Sequence, residues 1–179
     1  MKLFIKYIFT AVILLFFIKT LNGKNLMTMT WEIITDEVMG GQSEGGFKLL
    51  KDNNEEFVRL EGIVSTKNNG GFIQIRSKVN LENDYSSINF LARGNHDDYF
   101  IHIRTPLTFL PWQFYSIKFN VTDEWKSYTL ELRNFKKSHV FQPSNFSADS
   151  IKTIAFVAYG KNYSAKLDIK NINFITYEK

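Results

Sequence analysis

Three short stretches carry the side chains that could do chemistry. In the first, Trp31-Glu32-Ile33-Ile34 runs into Asp36, and paired glycines Gly40 and Gly41 follow before Ser43, with Met39 just ahead of them. In the second, Asn68 and Asn69 precede Gly70-Gly71, which opens Phe72-Ile73-Gln74-Ile75-Arg76. In the third, Asp97-Asp98-Tyr99-Phe100-Ile101-His102-Ile103-Arg104, strand alternation leaves His102 and Arg104 opposite Ile101 and Ile103. Each glycine pair supplies turn conformations that other residues reach at a cost. Neither is followed by a helix start or a Lys-Ser/Thr, so neither is a phosphate-binding loop. Gln74 and Arg76 with His102 and Arg104 would form, if brought to one face, a surface suited to hydroxyls or carboxylates. Trp112, after Pro111, is either a stacking platform or a core residue.

Catalytic signatures are missing. The chain has no Cys, which excludes disulfides, thiol nucleophiles and cysteine-ligated metals. His96, His102 and His139 are not spaced as zinc ligands, and no Gly-x-Ser-x-Gly occurs. Asp97 and Asp98 are neighbours and on a strand point to opposite faces, so they cannot work as a carboxylate pair. The sequence therefore predicts a protein that is not an enzyme and needs no cofactor, and it assigns no metal ligands.

The first 23 residues read as a secretory signal peptide. Lys2 and Lys6 precede an unbroken apolar run from Tyr7 to Ile18, shorter than the ~20 residues of a spanning helix. Cleavage after Gly23 is the expectation, with an uncleaved N-terminal anchor as the alternative. Export to a secreted, periplasmic or secretory-pathway location follows. The leader lacks Arg and amphipathic spacing, which argues against a mitochondrial transit peptide. The formal charge of +4 loses Lys2, Lys6 and Lys19 with the leader, so residues 24–179 are nearly neutral. With no basic block, nucleic acid is excluded as a partner, and a membrane is reached only through an uncleaved leader.

The elements that must position these residues are strands. Apolar residues after Met29 recur at period two in short runs separated by Gly, Asn, Asp and Pro clusters. The spacing predicts ten strands, near 29–34, 47–51, 56–66, 71–79, 86–93, 99–105, 113–121, 125–132, 151–159 and 166–177. Tyr115, Ile117, Phe119 and Val121 point inward, and Ile154 to Ala158, apolar on both faces, mark a central strand. Helix is limited to a turn around 147–150. Short turns between sequential strands imply an all-β antiparallel sandwich or jelly roll, as one domain over 24–179.

Taken in order, Trp31…Asp36-Glu37-Val38-Met39-Gly40-Gly41-Gln42-Ser43, Leu60-Glu61-Gly62-Ile63-Val64, Asn69-Gly70-Gly71-Phe72…Arg76, Arg93-Gly94…Tyr99…Arg104 and Trp125…Leu132…Phe135 resemble the complex I intermediate-associated protein 30 family. The resemblance runs from Trp31 to Phe174. It implies a galactose-binding-like sandwich, similar to carbohydrate-binding modules, and a non-catalytic, chaperone-like assembly role in which a protein partner is held. An exported carbohydrate-binding module is the alternative. Departures lie at Arg93-Gly94-Asn95-His96-Asp97-Asp98, at Leu132-Arg133-Asn134-Phe135 and at Asn162-Tyr163-Ser164-Ala165. The first and last bear on ligand or partner identity more than on fold. Asp36 and Arg76 are expected to pair or share a network that fixes both glycine loops, with Arg104 on the same polar surface.

Overall fold

The computed structural model describes residues 29–82 and 84–176, and the backbone of 23–25. Of the expected leader, residues 1–23, all but Gly23 lie outside the described residues. Twelve strands form: β1 Gly23–Asn25, β2 Trp31–Thr35, β3 Glu44–Asp52, β4 Glu55–Val64, β5 Phe72–Lys78 and β6 Ser87–Gly94 come first. They are followed by β7 Asp98–Arg104, β8 Tyr115–Asn120, β9 Lys126–Glu131, β10 Lys136–Lys137, β11 Thr153–Tyr159 and β12 Tyr163–Ile175. Ten of them match the expected runs to within a few residues. The two-residue β10 and the short β1 are too brief to leave a periodic signal. Four 3₁₀ turns, at Asp36–Met39, Lys67–Asn69, Leu132–Asn134 and Ala148–Ser150, are the helical content of the described residues.

All pairings are antiparallel. One sheet runs β3-β4-β12-β6-β9, with β1 also on β12, and the other runs β10-β8-β7-β11-β5-β2. The protein is thus a two-sheet β-sandwich. β11 is central, and its apolar residues on both faces answer to the core on one side and to a groove on the other.

Alternation decides the core. Val58, Leu60, Ile88, Phe90, Leu167 and Ile169 of the first sheet face Ile73, Ile75, Tyr99, Ile101 and Phe156 of the second, all fully buried. Phe90 meets Phe119 edge-on at 5.1 Å and Phe156 at 5.2 Å, which locks the sheets together with aromatic contacts. β12 changes phase once. Its inward residues are Leu167 and Ile169, then Ile172 and Phe174, because Asn171 (φ 53°) takes a left-handed conformation in a bulge.

The outer face of the first sheet carries a buried ion cluster. Asp168 lies between Arg59 and Arg93 in register across β4, β12 and β6, and accepts from both, at 2.6 and 2.9 Å. Burial pushes the Asp168 carboxyl up, but the hydrogen bonds and charges of the two arginines outweigh it and hold it below the usual carboxylate range. Arg93 stacks over Trp125 at 4.6 Å and Lys170 over the same ring at 4.4 Å.

Candidate functional site

The first two motifs meet in a buckle around Asp36. Its side chain is fully buried, and its carboxylate accepts from the Ser43 N–H at 2.8 Å, the Phe72 N–H at 3.2 Å, the Ser43 hydroxyl and the Gly71 N–H. Burial alone would raise its pKa, but these donors together hold it below the usual carboxylate range. The glycines follow from this geometry. Gly40, at φ 83°, ends the 3₁₀ turn in the left-handed region, and a Cβ on either Gly41 or Gly70 would run into the Asp36 carboxyl. Asn69, also left-handed at φ 58°, turns the chain into Gly70.

This corrects the expected pairing of Asp36 with Arg76. Asp36 stands in a polar stretch yet is part of the interior, because backbone donors from two loops converge on it. Arg76 is not its partner: the Arg76 guanidinium pairs with Glu32, its register neighbour on β2, at 2.8 Å. Both glycine loops are fixed by Asp36 through Ser43, Gly71 and Phe72.

The buckle forms one wall of a groove of about 480 Å³ across the outer face of the second sheet. Val38 and Met39, 72% and 54% exposed, project from the Asp36–Met39 turn. The opposite wall is Pro111, Trp112 and Phe114, and Trp112 is 55% exposed, which settles it as a surface side chain. Gln74, Arg76, His102 and Arg104 all line the floor. Strands β5 and β7 are not neighbours but flank β11, where Ala155 sits in register with both Arg76 and His102. That small residue keeps the floor open between them.

The polar groups of the floor are not equivalent. The His102 ring stacks on Phe114 at 4.0 Å and meets Tyr159 edge-on at 5.8 Å. Burial pushes its pKa down to about 3, so it is neutral near pH 7, and its Nε2 has no partner among the described residues. Arg104 donates to the Thr108 and Leu110 carbonyls at 2.6 and 2.9 Å and so holds the 105–113 loop against the groove. Burial and the like charge of Arg76 both lower its pKa, which places the two arginines on one electrostatic surface. Gln74 makes no side-chain hydrogen bond among the described residues, and its amide is available to a ligand.

Ile34, Val38, Phe72, Phe114 and Tyr159 also line the groove and were not singled out from the sequence. A signal existed: Phe72, Phe114 and Tyr159 are aromatic at positions whose strand phase points outward. Among the described residues no group of three or more His, Asp or Glu is placed to hold a metal ion.

The model of the family described as complex I intermediate-associated protein 30 matches residues 20–169. The chain belongs to that family. Both halves of the Asp36 buckle lie inside the matched range, so in this complex I intermediate-associated protein 30 domain the two glycine motifs are one structural device. No curated protein sequence matches the chain. Among solved structures, it is similar to the family 11 carbohydrate-binding module of a cellulosomal cellulase of Clostridium thermocellum. That match has a TM-score of 0.72 at 15% identity, covering 89% of this chain and 98% of the module. The Clostridium thermocellum family 11 module in complex with a β-1,3-1,4-mixed-linked tetrasaccharide gives 0.69 at 14% identity, with 88% and 96% covered. A family 30 carbohydrate-binding module gives 0.57 at 13%, with 87% and 99% covered. At these identities the likeness is one of fold.

Proposed function

We propose that this member of the complex I intermediate-associated protein 30 family is a non-catalytic, chaperone-like assembly protein that holds a segment of a protein partner in the groove. The observation that carries this reading is the groove's apolar lining, with exposed Val38, Met39 and Trp112 on walls either side of a floor whose two arginines are already bonded within the fold. An apolar cleft with few free polar groups takes side chains of a partner, and a flexible Met adapts to more than one. The leader sends the protein out of the cytosol or holds it at the membrane. Fractionation with N-terminal sequencing tests that: a full-length cytosolic product would refute it.

A glycan is the second reading, favoured by the free Gln74 amide in a groove that Trp112, Phe114 and Tyr159 also line. A photo-crosslinker at position 74, used in cell extract alongside a glycan array, separates the two. Capture of a protein that Trp112→Ala abolishes supports the first. Array binding lost in Trp112→Ala, with no protein captured, replaces it by the second.

A further inference from the structure

One end of the sandwich is built unlike the rest. The short connection 79–86 leads from Lys78 at the end of β5 to Ser87 at the start of β6, so both sheets end there together. The loops 105–114 and 138–152 lie at the same end, flanking the β8–β10 pairing. They present Leu107, Phe109, Val140 and Phe141 to solvent, with Phe109 76% and Phe141 86% exposed. None of the four lines the groove.

These loops are held, not loose. The Ser138 hydroxyl donates to the Trp112 carbonyl at 2.7 Å and accepts from the Phe114 N–H at 3.0 Å, tying one loop to the other. Lys137 Nζ donates to the Val140 and Gln142 carbonyls at 3.1 and 2.9 Å. Four large apolar side chains are thus held outward at one end of the sandwich on two loops tied to each other.

Two further features name what covers it. Lys78, Lys136 and Lys152 are exposed at this end and make no ion pair among the described residues. With Lys137, Arg104 and Arg133 they outnumber the local acids Glu82, Asp84, Glu131 and Asp149. In addition, Gly23 pairs with Ile175, so the chain enters the fold at this end. The apolar run of the leader closes at Ile18, and five residue steps span at most about 17 Å. A leader kept in a bilayer therefore holds these loops against its surface.

We propose that this end docks on an anionic bilayer surface, with Leu107, Phe109, Val140 and Phe141 entering the interface and the lysines facing the headgroups. The groove then opens beside the membrane, with Trp112 at the boundary between the two. This inference goes beyond the proposed function, rests on a retained rather than a cleaved leader, and does not depend on which partner the groove takes.

The test uses the full chain reconstituted in vesicles of brominated phosphatidylcholine and phosphatidylglycerol. Tryptophan emission should be quenched relative to unbrominated vesicles, and most of that quenching should disappear in Trp112→Phe, since Trp31 is buried in the core and Trp125 packs under Arg93 and Lys170. Phe109→Ser/Phe141→Ser and Lys136→Gln/Lys152→Gln should each reduce it about threefold or more. Their unfolding midpoints should not change, because all four side chains are exposed. A photo-crosslinker at position 141 should capture lipid. Quenching unaffected by the double variants would overturn the proposal, as would crosslinks to a second copy, to residues 1–22 or to another protein.

Discussion

Asp36 and Arg76 show how differently two charged residues of neighbouring motifs are used. Replacing Asp36 with Ala removes the acceptor of the Ser43, Gly71 and Phe72 N–H groups, while the Ser43 hydroxyl can still donate to the Ser65 carbonyl at 3.2 Å, at a cost of about 3 kcal/mol or more. Arg76→Ala removes a pair with a half-exposed Glu32 and should change stability by less than about 1 kcal/mol. The two share no partner, so the double variant should equal the sum within about 0.5 kcal/mol in urea unfolding. A larger coupling would return Arg76 to the buckle. The sequence expectation was coupling, and it fails because strand register gives Arg76 a nearer carboxylate in Glu32. Asp36→Asn keeps the shape but loses the charge, and should fall between wild type and Asp36→Ala.

At the scale of elements, Asp168 staples three strands and the 105–113 loop carries the groove's far wall. Asp168→Ala leaves Arg59 and Arg93 facing each other across β12, and should destabilise by about 3 kcal/mol. Urea unfolding reads it, and a shift below about 1 kcal/mol would show that the cluster is solvated. Trp112→Ala should do the opposite: its exposure predicts a stability change within about 0.5 kcal/mol together with a loss of whatever binding the groove has. Arg104→Ala combines the effects, since it frees the Thr108 and Leu110 carbonyls and lets the Trp112 wall move. Groove binding should weaken while the β7–β11 ladder survives, which crosslinking from position 74 would register.

For the whole molecule, pH separates the buried groups. His102 has its pKa pushed down to about 3 by burial, so between pH 6.5 and 3 the unfolded chain takes up a proton that the folded one refuses. Stability therefore falls as pH drops through that window, by about 1.4 kcal/mol per unit from this residue alone. Asp36 and Asp168 are lowered instead, so their stabilisation is complete above the ordinary carboxylate range and is lost only as pH falls below it. Unfolding midpoints at pH 7 and pH 5 should differ in wild type, and the difference should shrink in His102→Phe. An unchanged difference would show that the imidazole is protonated in place.

The fold class was written in the sequence because a half-buried antiparallel strand imposes its period on every residue it contains. Tyr115, Ile117, Phe119 and Val121 could point one way only, and ten strands and the central place of β11 followed from such runs. The phase of the two motif strands was equally legible, which is why Gln74, Arg76, His102 and Arg104 could be put on outward faces before their strands were placed. What the sequence could not give is which strands lie side by side. Gln74 and Arg76 come near His102 and Arg104 only because β11, some fifty residues downstream of β7, inserts between β5 and β7. Long-range pairing of that kind depends on the energy of the whole sheet, and no local pattern encodes it. The burial of Asp36 was hidden for the same reason: its donors are backbone N–H groups of Ser43, Gly71 and Phe72, present in every residue type and brought together only by the closed sandwich.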